Sequence, residues 1–541
     1  MIKFTKYKII ITGVFGLLFA NNVFSQNIEL PEVTTVVSGE NVAAKDDALP
    51  SFSDVTIIPQ KSEKSGIVLP EMTVSSGELE NQNIQDISQK NIFAEGLIGG
   101  GFPTLFTGEF SVFRTVTDSP FKVNFLYDSA VGYANHNLTD SFSDQTIDLS
   151  IEKGFTKNNY SWDFSGGYDS LSNGLQNLAQ NVDDKITKIN LDKYFGDVNF
   201  TYSFPHNISL GGNLNADFYN RYADTLQNSF PSIEIFSVSP SFFAKWENYG
   251  FQTNFTADYL FETGFQNKIS NGAKNRAQFD LEVDWSKNIV KTYAKVSVVL
   301  GNQLNENVVL VPFMVGADFS FPVYFSNRNF SISAQGGLES FGNKISDLEE
   351  KFKFSSINVM PSETSFWYGK AGFSVPLKDS FTGSAEFEYK QTAFSNGVWQ
   401  PVYETSYLNN GLYDFLCKDM TVFSSKVELA YHYKIFSIVA GWKSNWLDVP
   451  VLENTHQIYL NVNFQSENTK WGTDIKVIQP LEYDYIDPVI NFEGFVKLTQ
   501  AVRAVVSVQD IVKLCKGEPR IYCGEYYGRG GTATILLKFF F

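Results

Sequence analysis

Beyond its first two dozen positions, the 541-residue chain has no run of about 20 apolar residues, the length a membrane-crossing helix needs, so a bundle of membrane helices is excluded. Charge is scarce: Asp, Glu, Lys and Arg make up 19% of the residues, against roughly a quarter in an ordinary soluble domain. The basic sign is the scarcer one. Lys and Arg number 42 against 59 Asp and Glu, which gives a net charge of −17 and a pI near 4.8. A chain so acidic lacks the surface that neutralises phosphates, so nucleic acid is not among its expected partners. Histidine and cysteine are nearly absent. His136, His206, His432 and His456 are scattered and no CxxC occurs, so no metal site is implied. There is no GxSxG elbow, HExxH helix or P-loop, and the glycine-rich 96–101 reads as strand or tight turn. The chain is not expected to be an enzyme or to carry a cofactor.

What is abundant is aromatic. Phe, Tyr and Trp make up 16% of the chain, with 50 Phe and 26 Tyr, which excludes disorder of the whole. Residues 1–25 read as a signal peptide: Lys3, Lys6 and Lys8 precede the short apolar stretch Ile9 to Ala20, and Ser25 is small at the cleavage point. An uncleaved anchor is the rival, with an apolar stretch too short to span comfortably. In an exported chain, Cys515 and Cys523 offer a disulfide closing a small loop, with Cys417 left over.

Residues 26–91 differ from the rest. LPEVTTVVSGE at 30–40 returns as LPEMTVSSGE at 69–78, with the looser LPSFSDVTIIP at 49–59 between them. Such short copies cannot bury a core, so the segment reads as a flexible arm. Either the copies are recognition segments suited to adding a strand to a partner's sheet, or the arm is a plain spacer.

From residue 92 to 541 the pattern has period 2. Ile147, Leu149 and Ile151 alternate with Asp148, Ser150 and Glu152, and Ala277 to Trp285 alternate with Gln278, Asp280, Glu282 and Asp284. A face polar along its whole length suits a wet lumen, and segments of about 9–11 residues suit tilted strands crossing hydrocarbon. The expected fold is therefore all-β: a transmembrane antiparallel β-barrel of about 22 strands (range 16–24), behind a flexible periplasmic arm. Trp246, Trp285, Trp367, Trp442 and Trp446 are expected in its interfacial girdles. The row Asp280, Glu282 and Asp284 points into the lumen, either favouring cations or serving as a solvated face compensated by Lys291 or Lys295.

At the C-terminus, Ile535, Leu537, Phe539 and Phe541 share one face of a closing strand. That strand resembles the signal read by the bacterial outer-membrane barrel-assembly machinery, although Leu536 stands where a Gly is usual and Phe540 interrupts the polar inner face. Residues 506–510 (VSVQD), then Tyr526-Tyr527-Gly528-Arg529, then 532–541 resemble in part the tail of TonB-dependent receptors. Glu32, Val33, Thr34, Thr35, Val36, Val37 and Ser38 are similar to a TonB box. The resemblance implies an outer-membrane barrel that engages TonB, but residues 26–91 are too few and too polar for that family's folded plug. The lumen is then filled by loops or arm, left open, or closed by a separate plug-like protein.

The expected function is passage or uptake of a small, unidentified solute across the cell outer membrane, porin-like or receptor-like. Outer-membrane lipid, the assembly machinery and TonB or a plug-like protein are the expected partners. The alternative is a structural or adhesive barrel binding ligands through outer loops, such as Asp347 to Glu363 and Thr392 to Met420.

Overall fold

Strand follows strand in antiparallel pairing from Phe93 to Phe540, and the last strand returns to the first. In the computed structural model the described residues are 92–541, apart from 115–118, 132–142, 175–185, 226–231, 266–268, 270–271, 305–308, 325, 327, 353, 405–407, 410–411, 468, 483–485, 519, 523–525 and 541. The segments read as signal peptide and arm, with the Glu32 to Ser38 box, lie outside the described residues. Twenty-two strands close into a barrel, the number that the alternation predicts, and Val309–Leu310 adds a two-residue strand at its rim.

Closure pairs Glu95 with Phe540 and Phe102 with Ala533. No strand edge is left in the wall, as backbone groups facing hydrocarbon require. The glycines of 96–101 have their reason here. A Cβ at Gly99 or Gly101 would overlap the backbone of Ile535 or Ala533 across the seam. Phe540 also has one: its ring lies under the Lys538 ammonium at 5.2 Å and the Arg503 guanidinium at 5.6 Å. An aromatic face that attracts cations is compatible with a wet interior.

The two faces of each strand follow the period. Phe279, Leu281 and Val283 are exposed on the outside while Asp280, between them, is 7% exposed. Ile332, Phe373, Phe387, Leu429 and Leu460 continue the apolar outer surface around the wall. Aromatic pairs mark one end of it, including Trp162 with Phe200 at 4.4 Å, Phe381 with Tyr431 at 4.4 Å and Phe464 with Trp471 at 4.7 Å. Phe313 with Trp367 and Trp442 with Trp446 mark the other. An apolar band between two aromatic belts is the surface of a membrane-spanning barrel.

The two rims differ. One carries two-residue hairpins at 158–159, 249–250, 288–289, 379–380 and 434–435. Asn158, Tyr249, Gly250, Asn288 and Lys434 there have positive φ, as hairpin turns matched to strand twist need. The other rim carries the long connections 342–363, 393–420 and 510–531. Strand height also varies around the barrel. The seven strands between Ser143 and Lys287 run 14 to 19 residues. The seven from Thr421 to Phe540 run 8 to 13. About 9–11 residues suffice to cross hydrocarbon, so the first group forms a tall arc that continues past the apolar band at the long-loop rim.

Candidate functional site in the lumen

The interior of the tall arc is not uniformly polar. Leu171, Leu191, Tyr219, Ile233 and Ile235 occupy inward positions near the tops of their strands, where a wet lumen would favour polar side chains. They are covered by the chain itself. The connection 342–363 turns inward, carries a short helix, α1 (Ile345–Lys351), and packs Ile345, Leu348, Phe352, Ile357 and Met360 onto them. Each such side chain removed from water contributes about 1.5–3 kcal/mol. The stretch from Asp347 to Glu363, expected as an outer loop, is therefore largely interior.

Charge then fixes the register of α1 on the wall. Glu349 is buried and accepts from Arg221 Nη1 at 3.0 Å, the Tyr219 hydroxyl at 2.6 Å and the Ile357 N–H at 2.9 Å. Arg221 and Tyr219 are each 0% exposed. Burial pushes the Glu349 carboxyl up, and those three donors pull it partly back. Lys193 reaches Glu350 at 3.0 Å and Asp347 at 3.8 Å. Lys344 pairs with Asp217 at 2.9 Å, and the Ile345 N–H at the start of the helix donates to Glu262. At the far end of the connection, Arg276 holds Glu363 with Nη2 at 2.8 Å and Nε at 2.9 Å. Lys274, 1% exposed, donates to the carbonyls of Asn343 and Pro361. Four wall cations, Lys193, Arg221, Lys274 and Arg276, thus each hold an anion or carbonyl of one inward loop.

A second connection braces the first from above. Within 393–420, Val398–Pro401 pairs antiparallel with Leu412–Lys418, and Ser355–Ser356 joins the latter in parallel. The Phe415 ring meets Phe352 at 5.8 Å, and Trp399 Nε1 donates to Ser362 Oγ at 3.1 Å. The stretch Thr392 to Met420 therefore also contributes to the interior assembly. Burial raises the Cys417 thiol, with Ser362 and the Gly397 backbone opposing.

The acidic row lies lower in the lumen. Asp280 bonds Lys295 at 2.8 Å and accepts from Gln278, while Glu282 faces Lys295 across the strand pair. The row is thus compensated in part by Lys295, one of the two lysines the sequence offered. At the closing strand, Ile535 and Leu537 point outward with Phe539 on the same face, and Phe541 lies outside the described residues. The inner side of that strand sets Lys538 against Glu95 at 3.2 Å. Cys515 is exposed on α2 (Ile511–Lys516), and Cys523, the other half of the expected disulfide, lies outside the described residues. Arg529, in the stretch that resembles the receptor tail, bonds Asp128 at 2.6 Å and Asp144 at 2.8 Å on the inner wall.

The polar face is legible in the sequence, whereas the docking wall is not recognised there. Its signal was present: at 233–238, Ile233 and Ile235 make the inward face apolar alongside outward Phe236 and Val238.

No family model and no curated protein matches the chain. Solved structures do. The FrpB iron transporter from Neisseria meningitidis (F5-1 variant) aligns with a TM-score of 0.60 over 84% of this chain and 82% of its own, at 9% identity. The copper transporter OprC aligns with a TM-score of 0.62 over 84% and 81%, at 8% identity. The siderophore receptor PirA from Pseudomonas aeruginosa aligns with a TM-score of 0.60 over 83% and 80%, at 8% identity. At these identities the likeness is one of fold: the barrel resembles those of TonB-dependent receptors in architecture.

Proposed function

We infer that the chain is an outer-membrane barrel for passage or uptake of a small solute, with the short-turn rim in the periplasm and the long-loop rim outside. The observation that carries this reading is a closed wall with an apolar, aromatic-belted outside and an inside lined with ionised side chains. The similar solved structures are named as transporters or receptors for iron, copper and siderophores, which supports the same reading. The 26–91 arm would then lie on the periplasmic side, where its LPEVTTVVSGE-like copies are placed to add a strand to TonB or to a plug-like protein.

Conductance in a planar bilayer tests the passage. The purified chain should give stepwise ion current, and a folded barrel with none above background overturns the reading. Deleting residues 26–91 tests the arm: loss of partner capture with conductance retained is expected, and unchanged capture reduces the arm to a spacer.

A further inference from the structure

Lys193, Arg221, Lys274 and Arg276 stand on three of five adjacent tall strands, next to the inward apolar patch of Leu191, Ile233 and Ile235. Basic groups beside an apolar patch form a surface for an anion that carries an apolar portion. α1 has that chemistry: Ile345 and Leu348 cover the patch while Asp347, Glu349 and Glu350 take the cations. Nothing in membrane crossing demands such a patch on the lumen side of a barrel. Glu262, 1% exposed, lies beneath the helix and accepts from the Ile345 N–H, with one carboxylate oxygen that no donor among the described residues reaches. A buried ion pair specifies position more than it adds net stability, which suits a contact that can be exchanged.

We propose that this part of the wall is a binding site for an acidic, partly apolar solute of the short acidic peptide class, and that the 342–363 loop occupies it as an internal competitor. The solute would displace α1 by presenting carboxylates to Arg221 and Lys193 and an aliphatic side chain to Ile233 and Ile235. The proposal rests on the passage reading for the delivery of that solute, but the binding itself needs no current to be measured.

The test uses the full chain in detergent and two synthetic peptides: one copying residues 345–350, and one with its acids replaced by the corresponding amides. Limited proteolysis of the 346–359 segment reports loop release. The acidic peptide at millimolar concentration should speed cleavage at least tenfold, and the amide peptide should not. A barrel in which 346–359 is replaced by a short Gly-Ser linker should bind the acidic peptide at least tenfold more tightly than the full chain does. That binding should be lost on adding Arg221→Gln and Lys193→Gln. Cleavage indifferent to the acidic peptide, or binding that ignores peptide charge or survives both substitutions, overturns the site. Absence of current with these binding results intact overturns the passage reading alone.

Discussion

The tall arc from Ser143 to Lys287 and the short arc from Thr421 to Phe540 obey the same alternation, yet it is on the first that an inward loop packs its apolar side chains. In the short arc, inward groups satisfy one another within the wall: Lys538 with Glu95, Lys426 with Glu428, Tyr459 with Glu428. In the tall arc they satisfy a loop: Lys193, Arg221, Lys274 and Arg276 all reach residues between Asn343 and Glu363. Spanning a membrane and building a site thus make separate demands on one strand. About ten residues do the first, and the surplus at the upper end does the second.

The most severe lesion lies at the short arc's seam. Gly101→Val puts a branched side chain into the backbone of Ala533. The barrel is expected to lose closure, read as loss of the heat-dependent shift that folded barrels show on gels. Next comes Arg221→Met, which strands the buried Glu349 carboxylate. Removing one partner of a buried ion pair costs about 3–5 kcal/mol, so 346–359 should become protease-sensitive while the gel shift persists. Replacing Ile233 by Ala removes packing under α1 at about 2–5 kcal/mol. It should loosen the loop in the same assay without altering wall pairing.

A pH series gives a smaller effect. The Glu349 carboxyl is raised by burial against the opposing pull of Arg221, Tyr219 and the Ile357 N–H. Between its ordinary and raised values the docked loop therefore holds more protons than the released one. Docking stability is fully present below the ordinary value and declines as pH rises through the raised one. Loop cleavage should be slower at about pH 5 than at about pH 8; the opposite order would count against a raised carboxyl. The smallest effect belongs to the surface pair of Lys516 and Asp487 at 2.6 Å. Lys516→Ala should leave both readouts unchanged.

Much of the barrel was legible because period 2 is a local signal. Phe279, Asp280, Leu281, Glu282 and Val283 declare their faces without reference to any other strand. Strand number followed from counting such segments, and the closing strand from the resemblance of its Ile535, Leu537 and Phe539 face to a barrel-assembly signal. The site was not legible, because it joins Arg221 to Glu349 and Lys274 to Pro361 across long separations that no local pattern records. Asp347, Glu349 and Glu350 look like any solvated loop charges until the wall opposite them is known. What could have been read is the doubled apolar face at 233–238, where outward Phe236 and Val238 have inward Ile233 and Ile235 as neighbours.

The seam between Phe93–Phe102 and Thr532–Phe540 also sets a timetable. Hairpins between successive strands can form as each segment arrives, since their loops are short and cheap to close. The seam joins the first described strand to the last, so it forms only after all the others are present. Until then the growing sheet has two unpaired edges, one bearing Gly99 and Gly101 and the other moving along the chain. An open edge invites pairing with whatever strand is nearest. Insertion of this chain is thus a race between zipping the final strand and capture by a neighbour, and the glycines that let two backbones meet closely bear on its last step.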